Sequence, residues 1–476
     1  MSTVRTRFAP SPTGFLHVGG IRTAVFAWLV ARQNNGAFIL RIEDTDKVRE
    51  VLGSDQHLID SLKALGLAYD EGPDSGGPFA PYRQSERLAS YQKWAQILVA
   101  NGRAYADPYS PAEVQAFREA AQVAKQPFLY RNHRPENPPL WDGKQPLRFK
   151  SDPKAYQWQD AIMGDLHAGA EAIDDFILMK SDGYPTYNFA HIIDDTEMQI
   201  SHIIRGQEFL SSMPNYLNLY EALKIDYPIF ATAPHILGPD GKKKLSKRDG
   251  AKDVLDYIRD GYLPDALVNF ITSLGWNDGS EQEIFSRQEL IEKFSLDRVQ
   301  RSGAHFDERR LLWMNGSYIR AMPLDNLYAA VSSYWPASAE SFTVTYKRQV
   351  LALVQERLKY FAELPELSRF FFEDLPLDSS LITEHKQLKK IEQGNLRDLL
   401  VQANSALQAS DFSSTDLTDR LNQLLETTSQ KPAVLFSLIR IATTQAAASP
   451  GLADTMQVLG KERSLQRLQQ QLLALS

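Results

Sequence analysis

Apolar positions recur along this 476-residue chain in two rhythms, one of strands and one of helices. Residues 5–9 read as the end of a short strand, which Pro10, Pro12 and Gly14 break into a rigid loop. From Gly20 onward, Ile21, Val25, Trp28 and Leu29 recur at i, i+4, i+7 and i+8, which predicts a helix with one buried face. Residues 38–42 form a second strand candidate that runs into Glu43, Asp44, Thr45 and Asp46. Strand, helix and strand at these lengths predict a parallel βαβ unit, whose ligands bind beyond the carboxyl ends of the strands. Further helices are expected over 55–65, closed by Gly66, and over 86–100, where Leu88, Tyr91, Trp94 and Leu98 share a face and Asn101-Gly102 stop it. The stretch between them, 70–81, is rich in Gly and Pro.

The texture changes from 107 to about 182. Prolines crowd 134–146 and a strand-like section follows, so this part reads as an insertion between two halves of one α/β fold. Residues 181–195 then return polar side chains to an apolar frame, with Tyr187, Asn188 and His191 on one helical face. Residues 203–205 read as a buried strand ending on Arg205, with Glu208 close behind. Beyond 250 the spacing is helical over 255–258, 263–274, 309–319 and most of 346–475, and 336–345 reads as a linker to the last domain. There is no fixed-period repeat.

Composition narrows the class. With 43% hydrophobic and 23% charged residues the chain is that of a folded globular protein, long enough for roughly three domains. Its net charge of −7 gives no overall basic field, so any contact with RNA must come from local patches. The absence of cysteine removes disulfides, thiolate zinc sites and cysteine nucleophiles together. The N-terminus lacks a signal-peptide apolar core, and no run of about 18 apolar residues is present to span a bilayer, which predicts a cytosolic location.

Candidate chemistry gathers at two stretches. His17-Val18-Gly19-Gly20 stands where a strand-loop unit feeds a helix N-terminus, a place of unpaired N–H groups and partial positive charge. A lone Gly-Gly there is more often an ordinary turn. A histidine, two glycines and flanking Arg7 and Arg22 favour phosphate. Arg7, Ala9, Ser11 and Glu43 would converge on one crevice; Glu43, straight off a strand end, suits an amino group, while Asp44 to Asp46 suit helix capping. Arg205 needs a carboxylate or phosphate partner, which a structural salt bridge would supply as well as a ligand. In the second stretch, 235–248, Gly238 to Gly241 form a tight turn before Lys242, Lys243, Lys244, Lys247 and Arg248. Such a run is usually a solvated loop. Leu245 and Ser246 interrupt it, however, so Lys244 and Lys247 can point inward together and neutralise a leaving polyphosphate.

HVGG at 17–20 resembles the HIGH motif of class I aminoacyl-tRNA synthetases, and KLSKR at 244–248 resembles their KMSKS loop. RFAPSPTGFLHVGGIRTA, LRIEDTD (40–46), YRQSER (82–87), SDGYPTYNFA (181–190), Trp313-Met314-Asn315 and LGKER (459–463) are together similar to the bacterial-type glutamyl-tRNA synthetase family from end to end. The resemblance implies an α/β fold. A Rossmann-like catalytic domain over 1–104 and 183–241 is split by an acceptor-end-binding insertion at 105–182. The KLSKR loop and stem-contact region (242–320) and an all-helical anticodon-binding domain (321–476) follow. It further implies that glutamate and ATP with Mg²⁺ give glutamyl-adenylate and pyrophosphate, and that the glutamyl group then passes to the terminal ribose of tRNA. Carried onto this chain, Arg7 meets the substrate side-chain carboxylate and Ser11 and Glu43 the α-amino group, with Ala9 beside them; Tyr187 and Arg205 complete the pocket. His17, Gly19 and Gly20 receive ATP phosphates, Lys244 and Lys247 stabilise the pentavalent transition state, and Glu208 lies near the adenosine. With glutamine in the pocket, Arg7 would be left buried and unpaired.

Two departures stand out. His191 occupies a position beside the amino-acid pocket where the family often has a small, apolar or amide residue, and packing at the pocket rim is the expectation. The cysteine-ligated zinc of some members is impossible here, so ordinary packing should hold residues 105–141. Arg357 is the candidate reader of the last anticodon base, and tRNA for glutamine is a second possible substrate beside tRNA for glutamate. A monomer is expected. The helical spacing over 346–475 argues against the glutaminyl relative, whose anticodon region is β-rich, and the chain beyond Ser317 argues against a shortened paralogue. A non-catalytic RNA-binding relative would have no need of His17, Lys244 and Lys247.

Overall fold

The first βαβ unit forms where the spacing places it. β1 (Arg5–Phe8) and β2 (Ala37–Leu40) pair in parallel, Arg5 opposite Ala37 and Phe8 opposite Leu40, with α1 (Val18–Gln33) as the crossover. The computed structural model describes residues 3–16, 18–238, 240–245 and 252–475. α1 begins two residues ahead of the expected start, so Gly19 and Gly20 lie inside its first turn. It is also buried on nearly every side, Ala24, Val25, Phe26, Ala27, Leu29 and Ala31 all being inaccessible, where one buried face was expected. A helix apolar all round is one covered from both sides.

α2 (Ser54–Ala64) and α3 (Leu88–Ala100) follow, the latter ended by Asn101 and a positive-φ Gly102. The expected insertion contributes β3 (Ala104–Ala106), α4 (Pro111–Val123), β4 (Leu147–Phe149), β5 (Tyr156–Asp160), β6 (Gly164–Ala168) and β7 (Ile177–Met179). β3, β4 and β7 make a separate antiparallel sheet, while the β5–β6 hairpin joins the edge of the main one. Asp160 seals that join, accepting Thr232 N–H at 3.0 Å and the Thr232 hydroxyl at 2.6 Å. The segment 105–141 is not held by packing alone, as was expected. Asp107 accepts from Tyr130 Oη (2.6 Å) and Arg148 Nε (2.7 Å), Asp174 from the main-chain N–H groups of Tyr130 and Arg131 (both 2.9 Å), and Asp175 takes both forks of Arg134.

α5 (Tyr187–Glu197), β8 (His202–Gly206), α6 (Met213–Leu223), β9 (Ile229–Ala233) and β10 (Ile236–Leu237) complete the frame. The main sheet runs β2-β1-β8-β9-β5-β6, parallel except for its last pair. α7 (Val254–Arg259), α8 (Pro264–Ser273), α9 (Arg287–Lys293) and β11 (Ala304–His305) come next, and α1 packs between the sheet and α8 and α9.

Two compact units result, Met1–Arg259 with Pro264–Glu308, and Asp260–Leu263 with Arg309–Ser476. The second is helical: α10 (Glu308–Ala321), α11 (Leu324–Ala330), α12 (Val344–Val354), α13 (Leu364–Phe372), α14 (Ser380–Thr383), α15 (Gln393–Gln408), α16 (Ser414–Thr428), α17 (Pro432–Thr444), α18 (Leu452–Leu459) and α19 (Lys461–Ala474). The stretch read as a linker, 336–345, is instead part of this unit's core. Ala339 is buried, and Phe342 stacks on Tyr346 and meets Phe372 edge-on. Asn315, from the Trp-Met-Asn motif, is fully buried and accepts Leu263 N–H at 2.8 Å, so its job is to anchor the 260–263 segment.

Candidate active site

The carboxyl ends of β1 and β8, the first turn of α1 and the turn after β10 surround a cleft of about 360 Å³. Arg7, Ala9, Ser11, Gly19, Gly20, Glu43, Tyr187, Arg205, Glu208 and Lys244 all line it, so residues up to 237 positions apart in sequence meet at one place. His17 and Lys247 lie outside the described residues, as does Arg248.

Arg205 is the least balanced charge in the cleft. It is buried at the end of β8, boxed by the rings of Phe209, Tyr216 and Phe230 at 5.1 to 5.5 Å, and its Nη2 points at the Met213 sulfur. Among the described residues, Nε and Nη1 have no hydrogen-bond partner. No salt bridge among the described residues accounts for this arginine. Glu43 is the opposite case: Oε1 accepts Arg41 Nη2 at 2.9 Å, while the buried Oε2 has no hydrogen-bond partner among the described residues. Burial pushes its carboxyl up to about 7 against the pull of Arg41.

Arg7 differs from the expectation. The protein itself pairs it: Nε and Nη2 fork onto Asp195 at 3.0 and 3.2 Å, and Nη1 reaches the Ile204 carbonyl at 3.4 Å. Asp195 is shared with Arg41, whose Nη1 lies 2.7 Å away and which also faces Glu43 and Asp194. Burial alone would raise Asp195, but Arg41 and Arg7 outweigh it and hold this carboxyl well below the usual range. The network pins Arg7 and Glu43 from behind. Asp194 and Asp195 lie near the C-terminal end of α5, where the helix dipole disfavours anions. Two buried acids in that position needed arginine partners, and this was the signal the sequence carried for Arg41 and Asp195.

Tyr187 opens α5 and stacks between His191 (4.8 Å) and Phe209 (5.1 Å). His191 does not reach the rim. It is 1% exposed, one layer behind Tyr187, and its Nδ1–H donates to the Tyr187 carbonyl at 2.7 Å. Burial drops its imidazole to about 3, so it is neutral.

On the far side, Lys244 pairs with Glu208 at 3.2 Å, and Leu245 is buried beneath, its N–H donating to the Ile236 carbonyl at 2.8 Å. Burial alone would raise Glu208, but its own backbone N–H and Lys244 leave it below the usual carboxylate value. Arg22 lines the cleft without being free to swing. It donates to the carbonyls of Leu274 (3.0 Å) and Pro234, and burial lowers its guanidinium to about 10.

The second unit has a pocket of its own, about 250 Å³, lined by Ser414, Thr418, Asn422, Phe436, Arg440 and residues 451–454. Arg440 donates to Ser449 Oγ at 3.0 Å; its guanidinium is lowered by burial first and by Arg357 second. Arg357 is exposed in the turn after α12, not within a helix as expected. Arg440 was missed in the sequence because a single arginine in an apolar helix has no distinguishing spacing.

A cleft at the ends of parallel strands, with a glycine helix start on one side and a lysine turn on the other, is the arrangement that suits a nucleotide's phosphates. Residues 3–313 match the catalytic domain of class I tRNA synthetases (E and Q), and residues 326–472 match an anticodon binding domain. The chain belongs to the class I tRNA synthetases. It is 40% identical to a glutamate–tRNA ligase of Dehalococcoides mccartyi over 99% of this chain and 98% of that one. It is 38% identical to that of Clostridium botulinum over 98% and 97%. A solved glutamate tRNA ligase from Elizabethkingia meningosepticum, in complex with its amino acid, superposes with a TM-score of 0.87 at 32% identity, covering all of both chains.

Proposed function

We propose that the chain is a glutamate–tRNA ligase. The carrying observation is the pair of charges in one cleft left unsatisfied among the described residues, two nitrogens of Arg205 and one oxygen of Glu43. Opposite unpaired charges suit a zwitterion, and an amino acid supplies both ends. Glu43 and Ser11 take the ammonium, Arg205 and Tyr187 the carboxylate that reacts, and the outer edge of Arg7, held by Asp195, the side-chain carboxylate. In the first step a substrate carboxylate oxygen attacks the α-phosphorus of ATP, the bond to the bridging oxygen breaks, and pyrophosphate leaves. In the second, the terminal ribose hydroxyl of tRNA attacks the acyl carbon and AMP departs. Both nucleophiles are substrates, so the protein contributes position and charge. His17 with the first turn of α1 receives phosphates, Lys244 and Lys247 offset the charge growing on pyrophosphate, and Glu208 lies towards the adenosine. Mg²⁺ enters with ATP.

The domain division is proposed as 1–104 with 183–241 for catalysis, 105–182 for the acceptor end, 242–320 for the KLSKR loop and stem, and 321–476 for the anticodon. The pocket beside Arg440 and the exposed Arg357 support RNA contact in the helical unit. The protein works as a monomer in the cytoplasm; no helix among the described residues is long and apolar enough to cross a membrane. Pyrophosphate exchange with glutamate, with and without tRNA, tests the reading. No exchange under either condition would leave a non-catalytic RNA-binding protein. Charging of purified tRNA for glutamate and for glutamine decides the acceptor range.

A further inference from the structure

His57, on α2, does not line the cleft, yet it touches the residue that precedes α1 by two positions and the residue just before α7. Its Nε2 lies 2.8 Å from Asp253 Oδ1, and its Nδ1 lies 3.4 Å from the main-chain N of Leu16. A carboxylate accepts and a main-chain N–H donates, so the neutral ring must carry its proton on Nε2 and its lone pair on Nδ1. The Phe15 ring covers the imidazole at 4.7 Å, and the two side chains of the pair are only 15% and 18% exposed. Asp253 Oδ1 also accepts Leu255 N–H at 2.9 Å, and Val254 N–H donates to the Leu16 carbonyl at 3.3 Å. One ring therefore ties the main chain just ahead of position 17 to the start of the helix that follows the KLSKR stretch.

We propose that His57 is a positioning residue for adenylate formation: its imidazole clasps the main chain at Leu16, which leads into α1, to the N-terminal cap of α7 and so holds together the segments that flank the two phosphate-binding stretches. This rests on the reading that both stretches hold one triphosphate. Catalysis by placed charge is sensitive to displacements of about 1 Å, which cost up to about 100-fold. Nothing in the core asks for this histidine: Leu58, Ile59 and Leu62 already anchor α2. The clasp is polar, specific in tautomer, and spent on two loops.

The test is a double-mutant cycle read by pyrophosphate exchange at saturating tRNA, with ATP and glutamate each varied in turn. His57→Ala and Asp253→Ala should each lower kcat or raise KM for ATP about tenfold or more, leave KM for glutamate within about twofold, and leave the thermal midpoint near that of the parent. The double variant should be no worse than the worse single one, because both remove the same contact. Asp253→Asn, whose amide oxygen can still cap α7 and accept from Nε2, should keep at least about half the rate. Losses that multiply, or a glutamate KM that rises in step, would overturn the proposal. Hydrogen exchange at the Val254 and Leu255 amides reads the clasp without turnover and should quicken in His57→Ala. Unchanged protection refutes the clasp itself. A parent enzyme with the clasp intact but no pyrophosphate exchange refutes the underlying assignment of function, and with it the catalytic role of His57.

Discussion

Arg205 is surrounded by Phe209, Tyr216, Phe230 and the Met213 sulfur, none of which carries a charge to balance it. Holding a buried cation this way costs several kcal/mol in the free protein, a cost that a bound carboxylate offsets. Arg205→Met should therefore raise stability by about 1–3 kcal/mol, seen as a higher thermal midpoint, while kcat/KM for glutamate falls at least about 100-fold. A variant that lost both stability and activity would mean the arginine has a structural partner after all. Glu43 gives the complementary test. In the proposed role the substrate ammonium needs the carboxylate form of Glu43, and with the group raised to about 7 that form dominates above pH 7 and is depleted below it. kcat/KM for glutamate should then be flat near pH 8 and drop about tenfold by pH 6, with the bend lost in Glu43→Gln. At this scale the sequence told half the story. Arg205 and Glu43 could be picked out because each ends a strand, where an ionised group must look for a partner. The pairing of Arg7 with Asp195 could not, since 188 residues separate them and only the fold brings α5 behind β1. The same burial explains His191, whose ring lies behind Tyr187 and offers the cleft nothing directly.

Among the elements, those built on local rhythm were legible and those built on exchange between distant segments were not. β1, α1 and β2 follow from spacing alone. The all-round burial of α1 does not, because α8 and α9, which cover its second side, come more than two hundred residues later. The 105–141 segment makes the same point in polar form. Its charged residues look like solvent-facing charge in sequence, yet its Arg134 and Tyr105 bind Asp175, an inaccessible carboxylate from later in the insertion that also takes Ser151. A buried carboxylate serving three partners cannot be removed cheaply. Asp175→Ala should cost about 3–5 kcal/mol, most of it from the stranded Arg134, and should expose residues 105–182 to limited proteolysis before the rest of the chain. Cleavage spread evenly over the protein, or an unchanged melting curve, would show that packing alone suffices there.

For the molecule as a whole, a net charge of −7 opposes any polyanion, so affinity for tRNA must be concentrated in a few places. In the helical unit Arg440 and Arg357 are near enough to depress Arg440, and among the described residues neither forms an ion pair. Arg440 lines a pocket with an aromatic wall in Phe436 and hydroxyl and amide groups in Ser414, Thr418 and Asn422, and a second cation in Arg357 close enough to act on it makes that site favourable once an anion or a base with its phosphate arrives. Arg440→Gln should raise KM for tRNA about 10- to 100-fold while KM for ATP and glutamate, measured at saturating tRNA, stay put. The dependence of that KM on salt then separates two modes. If Arg440 meets a phosphate, the slope against log salt shrinks by about one; if it reads a base edge, the slope holds and discrimination among anticodon variants is lost instead. Relief of the repulsion should also make either single arginine variant slightly more stable than its parent, the opposite of what a packing role would give.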